Sequence, residues 1–170
     1  MRKQKGFSLI ELHIVVAIIL IIAAIAIPNL LRARISANES SAVGSVRTIN
    51  TGQVTYQTSY PTEGFSDTVA KLGPPAAGAP PTSTTSGVID GVLAAGSKSG
   101  YNFYMTNAAA ATPRLDYTVS AGPVNFNQTG VRNFCSNSDG VIRGLITNAA
   151  AIAAAVTSAT CGGATYAPLQ

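Results

Sequence analysis

The sequence predicts an α+β fold, in which one long N-terminal helix packs on a small antiparallel sheet of three to four strands. The chain is apolar from Phe7 to Ile27 apart from three residues, as expected for a long helix. Apolar residues then recur at three-and-four spacing, which indicates an amphipathic continuation of that helix. Short segments rich in β-branched and aromatic residues follow, separated by glycine and proline. At 170 residues the chain suits one compact domain with an appendage.

The first half of the helix predicts a membrane segment over residues 7–27, broken only by Ser8, Glu11 and His13. At about 1.5 Å per residue it spans roughly 30 Å, close to the thickness of a hydrocarbon core. An ordinary secretory signal peptide has a shorter apolar core with small residues after it. Here the small residue Gly6 comes before the apolar run.

The helix is expected to continue to about residue 58, so that the complete element covers 7–58. Pro28 lies within it and removes a hydrogen bond to the carbonyl of Ala24, which predicts a kink. One apolar stripe in the second half is predicted to pack on the folded domain, and its members are Leu31, Ile35, Ala42, Val46, Ile49 and Tyr56.

The remainder, 59–170, is predicted to form a globular head in three parts. An irregular, proline-rich connection covers 59–98, the sheet covers 99–143 and a C-terminal segment covers 144–170. The strand candidates are 101–106, 115–121, 131–134 and 140–143. The alanine-rich stretch 148–159 fits either a short helix or packed coil.

Charge and composition exclude several classes of function. Charged residues make up 11% of the chain, well below the typical quarter, which favours an exported protein over a cytosolic enzyme. Without Arg2, Lys3 and Lys5, eight cations remain against seven acids, so no nucleic-acid partner is predicted.

Cysteine and histidine usage narrows the chemistry further. Cys135 and Cys161 have no zinc spacing; we expect a disulfide, and the alternative is a pair of separate buried thiols. His13 is the single histidine and lies in the apolar run, so the head lacks a Ser-His-Asp or Cys-His arrangement and no catalytic, metal or cofactor site is predicted. Asp139, which precedes Gly140, suggests either a calcium loop or a turn between strands, and the turn is favoured.

The junction KGFSLIEL, residues 5–12, resembles the N-terminus of the type IV pilin and type II secretion pseudopilin superfamily. It combines a short basic leader, Gly6 before Phe7, Glu11 at the fifth position after that bond, and a membrane-length helix. The resemblance implies a pilin-like fold. It also implies that residues 1–6 are a leader, that a prepilin peptidase cuts between Gly6 and Phe7, and that the new amine of Phe7 is N-methylated.

Cleavage would give the acid in the apolar run a partner. A carboxylate inside hydrocarbon costs a few kcal/mol on insertion scales and more when unpaired. The Phe7 amine of an adjacent subunit could pair with Glu11 and set the axial register of subunits. The alternative is that Glu11 reaches the cytoplasmic interface and has no role. His13 could meet a neighbour's carboxylate in a filament or, alternatively, bind a backbone carbonyl.

The expected function is therefore that of a structural pilin that assembles into a helical homo-oligomeric filament. Its expected partners are the prepilin peptidase, the inner-membrane assembly machinery and, before assembly, the inner membrane, with the N-terminus in the cytoplasm. One alternative is a pseudopilin of a type II secretion system, which would stay periplasmic. Another is an uncleaved membrane anchor that carries a periplasmic binding domain.

Overall fold

The computed structural model describes residues 8–107, 112–146 and 156–169. The chain divides into two compact units, Met1–Arg34 and Ile35–Gln170. The helices are α1 (Leu9–Ser59), α2 (Gly91–Ala94) and α3 (Ser158–Gly162), with a 3₁₀ turn at Ala70–Leu72. The strands are β1 (Ser97–Lys98), β2 (Tyr101–Thr106), β3 (Thr118–Pro123), β4 (Arg132–Asn137), β5 (Ile142–Ile146) and β6 (Ala167–Pro168).

The strands form one antiparallel meander in the order β1-β2-β3-β4-β5-β6. The α+β class is confirmed, and β2 to β5 correspond to the four strand candidates. The expected number of three to four strands is wrong, because the sheet has six strands within the described ranges. The two additional strands are two-residue edges, each paired to a single neighbour. Segments that short carry no alternation of side chains, so pairing rather than local pattern defines them.

The core of the Ile35–Gln170 unit lies between the second half of α1 and the sheet. Ala42, Val46, Ile49 and Tyr56 are at most 1% exposed, so this part of the predicted stripe is confirmed. The sheet contributes Phe103, Val119, Ala121 and Phe134 to the same cluster of buried side chains. The first two members of the stripe differ, because Leu31 is exposed and Ile35 is only partly buried.

Two side-chain amides, one buried and one partly buried, fix the helix against the head. Gln53 is fully buried, and its Nε2 donates to the carbonyl of Ser66 at 3.1 Å while its Oε1 accepts from the Ser66 N–H at 2.8 Å. Asn50 accepts a hydrogen bond from the Tyr117 hydroxyl and donates to Ser136 Oγ. Since a buried amide without partners would be destabilising, these contacts specify one register of helix on sheet.

A disulfide joins Cys135 of β4 to Cys161 of α3, which decides between the two expectations for the cysteines. Both residues are fully buried, and with Tyr166 they form a second, smaller core. Thr157 caps α3 by accepting a hydrogen bond from the N–H of Thr160. Most of the alanine-rich stretch lies outside the described residues, which resume at residue 156.

Candidate functional site: the N-terminal half of α1

The first turn of α1 gives Glu11 a partner within its own chain. The backbone N–H of Ser8 donates to Oε2 of Glu11 at 2.9 Å. This is the return half of a capping box, in which an acid three residues into a helix accepts the N–H of the residue that precedes it. Glu11 therefore caps the N-terminus of the helix by accepting a backbone N–H that has no partner within the helix. Gly6 and Phe7 lie outside the described residues, so the cleavage site and the Phe7–Glu11 pair stay predictions.

His13 binds a backbone carbonyl one turn earlier in the helix. Its Nδ1 lies 2.9 Å from the oxygen of Leu9, which fits an N–H that donates to the carbonyl. This is the local alternative expected for His13. The contact gives one ring nitrogen of His13 an uncharged hydrogen-bond partner within the same helix.

The large aliphatic side chains of this segment are unpartnered. From Leu9 to Leu31 they are 42–73% exposed. The most apolar stretch of α1 is long and apolar enough to cross a membrane, and none of it is buried within the protein. At about 25 cal/mol per Å², so large an apolar surface strongly favours contact with lipid or protein over water.

Pro28 lies inside α1, which is helical on both sides of it. Its ring nitrogen has no hydrogen, so the carbonyl one turn earlier lacks its usual donor. The predicted kink at this residue stays a prediction.

Glu39 has a role that the sequence did not indicate. Its Oε1 accepts hydrogen bonds from the N–H groups of Val131 and Arg132, at 3.0 and 3.2 Å. The adjacent Asn38 donates to the carbonyl of Thr129 at 3.0 Å. Together these side chains hold the loop between β3 and β4 on the helix. In the sequence Glu39 is only an interruption of the apolar stripe, because its backbone partners lie more than 90 residues away.

The loop at Asp139 is a turn, as favoured over a calcium site. Gly140 has a φ of 72°, and Asp139 accepts the N–H of Val141 at 2.9 Å. Arg143 Nη2 pairs with Oδ2 of the same carboxylate at 2.7 Å. That hydrogen bond, opposed by partial burial, lowers the pKa of Asp139. Within the described ranges, no group of three or more histidine, cysteine or acidic residues could hold a metal ion.

Two other acids of the head, Glu63 and Asp67, share one cation. Arg114 Nη1 lies 3.5 Å from Glu63 and Nη2 lies 3.2 Å from Asp67, and Lys71 lies 2.8 Å from Asp67. Burial raises the pKa of Asp67, but Lys71 and Arg114 together lower it further. Both carboxylates contact the same guanidinium, and the lowered pKa of Asp67 favours a structural ion-pair cluster over a general acid–base pair.

Comparisons with known proteins agree with these features. The family described as the prokaryotic N-terminal methylation motif matches residues 1–27. The chain is 65% identical over 40 residues to the type IV wide pilus major component PilA4 of Thermus thermophilus, a match that covers 24% of this chain and 30% of that relative. It is 44% identical over 54 residues to the type IV major pilin protein PilA of Myxococcus xanthus, covering 32% of this chain and 24% of the relative. No solved structure matches significantly.

The methylation motif, the long apolar helix and the antiparallel sheet are the features expected of a pilin-like chain. The chain is similar to type IV pilins over its N-terminal segment, and the expected recognition is confirmed for that segment. The matched segments span less than a third of the length of either relative.

Proposed function

We propose that this chain is a structural subunit of a type IV pilus, which enters a helical filament after removal of residues 1–6. The observation that supports it most is the exposed aliphatic surface from Leu9 to Leu31, most of which lies within the match to the methylation motif over residues 1–27. Lipid can cover this surface before assembly, and the helices of neighbouring subunits can cover it afterwards. The role is structural and requires no catalytic group of the chain.

The proposed route begins at the inner membrane, with the N-terminus in the cytoplasm. A prepilin peptidase cuts between Gly6 and Phe7, and the amine of Phe7 is N-methylated. The subunit then leaves the membrane through the assembly machinery and becomes part of an extracellular fibre. Mass spectrometry of fibre subunits tests this route. We expect a chain that begins at a methylated Phe7; subunits that retain Met1 would contradict it.

Glu11 is proposed to set the height of each subunit in the filament. Among the described residues, Oε2 accepts a single hydrogen bond, from Ser8, and a carboxylate has capacity for further donors. The Phe7 amine of a neighbouring subunit would supply that donor together with the opposite charge. Breaking a buried ion pair by neutralising one member costs about 3–5 kcal/mol, which lowers affinity per contact roughly a hundredfold or more.

The capping contact allows a sharp test of this role. Glu11→Gln keeps a carbonyl oxygen that can accept the Ser8 N–H, whereas Glu11→Ala removes both the charge and the cap. If the ion pair sets the register, both variants insert into the membrane and neither forms fibres visible by electron microscopy. Normal fibres from Glu11→Gln would show that the cap alone is needed and would refute the ion pair.

The same experiments separate the pilus from its alternatives. Long extracellular fibres that contain this chain support a pilus, whereas a short periplasmic fibre supports a pseudopilin. A chain that keeps residues 1–6 in the membrane supports an uncleaved anchor. Leu20→Ala is a suitable control for the Glu11 variants, because it alters the same apolar segment without changing its charge.

A further inference from the structure

The acids of the head are already occupied within the chain. Each of the following carboxylates forms an ion pair with a cation of the head: Glu39, Glu63, Asp67, Asp90 and Asp139. Asp116 also has an interaction partner. Few anionic groups of the described head therefore remain for an outside cation.

Arg32 and Arg34 differ from the described cations that form ion pairs, which are Lys71, Lys98, Arg114, Arg132 and Arg143. Both are exposed, and in the described ranges neither takes part in any of the ion pairs or hydrogen bonds. They follow directly after the apolar segment, in the same Met1–Arg34 unit. Arg47, in the other unit, is similarly exposed and forms no ion pair within the described part of the chain, so it is a suitable comparison.

The spacing of charges along the first unit matches the thickness of a bilayer. Glu11 and Arg32 are 21 residues apart, which is about 32 Å at the rise of an α-helix. The hydrocarbon core is about 30 Å thick. His13 and Asn29 are the polar residues between them, and His13 is satisfied by the carbonyl of Leu9. When Glu11 lies at one membrane face, Arg32 and Arg34 therefore lie at the other.

The directions of the two arginines favour a layer of lipid headgroups over a protein groove. Two residues along an α-helix correspond to a rotation of about 200° and a rise of about 3 Å. Arg32 and Arg34 thus extend from nearly opposite sides of α1 at almost the same height. One protein groove covers one side of a helix, whereas a headgroup layer surrounds the helix at one height. Guanidinium groups also bind phosphate oxygens bidentately, and arginine reaches such a layer from an apolar helix end.

We propose that Arg32 and Arg34 bind the phosphates of lipid headgroups at the membrane face opposite Glu11, and thereby fix the depth of the embedded chain. These contacts hold the apolar segment in register with the hydrocarbon core. They are made by single chains, so they are independent of polymerisation and of the Phe7–Glu11 pair. A subunit that enters a filament exchanges them for other contacts.

Solid-state NMR on the full chain tests this binding directly. The protein, with ¹⁵N-labelled arginine, is reconstituted into vesicles of phosphatidylethanolamine and phosphatidylglycerol. Dephasing of guanidinium ¹⁵N signals by lipid ³¹P reports contact between the two groups. We expect dephased signals in the unmodified chain, a smaller dephased fraction in the double variant Arg32→Gln/Arg34→Gln because only leader residue Arg2 then remains beside the membrane, and an unchanged fraction in Arg47→Gln. The double lysine variant, labelled at lysine, should show more dephased ammonium signal than the unmodified chain, in which only Lys3 and Lys5 lie beside the membrane.

Several results would overturn the inference. Absent dephasing in the unmodified chain, or equal dephasing in the double glutamine variant, rules out headgroup binding by these residues. The protein can also be placed in maltoside micelles, whose detergent contains no phosphorus, with inorganic phosphate added. Dephasing there equal to that in the phospholipid vesicles would indicate an unspecific anion contact instead of a lipid site. If the unmodified chain shows no lipid dephasing and the double glutamine variant forms no fibres, the two arginines make protein contacts instead. Near-ultraviolet circular dichroism of the tyrosines verifies that the head of each variant is folded.

Discussion

Replacing Glu39 with alanine removes the side chain that holds the β3–β4 loop on α1. Its carboxylate accepts two backbone N–H groups, and hydrogen bonds to a charged group contribute about 1.5–3 kcal/mol each. The N–H of Arg132 is exposed, so water replaces most of that bond, whereas the N–H of Val131 is partly buried. The ion pair with Arg132, at 3.8 Å and with a half-exposed guanidinium, adds less than about 1 kcal/mol. We expect Glu39→Ala to lower the free energy of unfolding by about 2–3 kcal/mol.

Urea unfolding of the full chain in maltoside micelles, followed by circular dichroism, measures this change. Thermal unfolding should show a midpoint lower by roughly 5–10 °C for a domain of this size. Glu39→Gln is the matched variant, because its amide oxygen can still accept the Val131 N–H while the charge is lost. We expect this variant to lower the free energy of unfolding by about 1 kcal/mol. Should the alanine variant lose less than about 0.5 kcal/mol, or no more than the glutamine variant, the two backbone hydrogen bonds do not stabilise the loop.

Two further predictions concern the core of the head. Replacing Cys135 and Cys161 together with serine opens a loop whose ends are 26 residues apart. The chain-entropy relation predicts that the free energy of unfolding falls by about 3.5 kcal/mol. An unchanged midpoint of urea unfolding would contradict this prediction. Burial first, and the charge of Asp139 second, raise the pKa of Tyr117 to about 12. Because the folded state disfavours this phenolate relative to the unfolded chain, whose pKa is about 10, stability is unaffected below pH 10 and falls as the pH rises from about 10 towards 12. The phenolate absorbance of Tyr117, taken as the difference between the unmodified chain and Tyr117→Phe, should therefore appear late and together with unfolding. Tyr117→Phe should also reduce the alkaline loss of stability; early titration of Tyr117 in the folded protein would refute the burial effect.

The long helix was predictable because its signals are local. The predicted element, 7–58, differs little from the observed Leu9–Ser59. Most of the amphipathic stripe was also correct, since a residue at helical spacing faces the same side whatever packs there. Leu31 is exposed although it belongs to the predicted stripe. Helical spacing predicts which residues share a face of the helix, but it does not predict how far along the helix that face is covered.

The candidate site was predictable in part for the same reason. The methylation motif is a contiguous run of residues, so Gly6, Phe7 and Glu11 could be named from the sequence, although their roles in processing and assembly stay predictions. The capping contact of Glu11 also has a local signature, a serine followed three residues later by an acid. That signature is present in residues 8–11, but in an apolar segment the cost of burying a charge dominates what is expected of Glu11.

The sequence by itself determined the long helix, the membrane-length apolar run, the four main strands and the motif at the helix start, because each depends on neighbours within a few residues. The tertiary structure decided edge strand β6, the disulfide partner and the contacts of Glu39 and Gln53. Those features join residues from 13 to more than 90 positions apart. Hydrogen bonds and packing across such separations exist only once the chain has folded, so no local pattern records them.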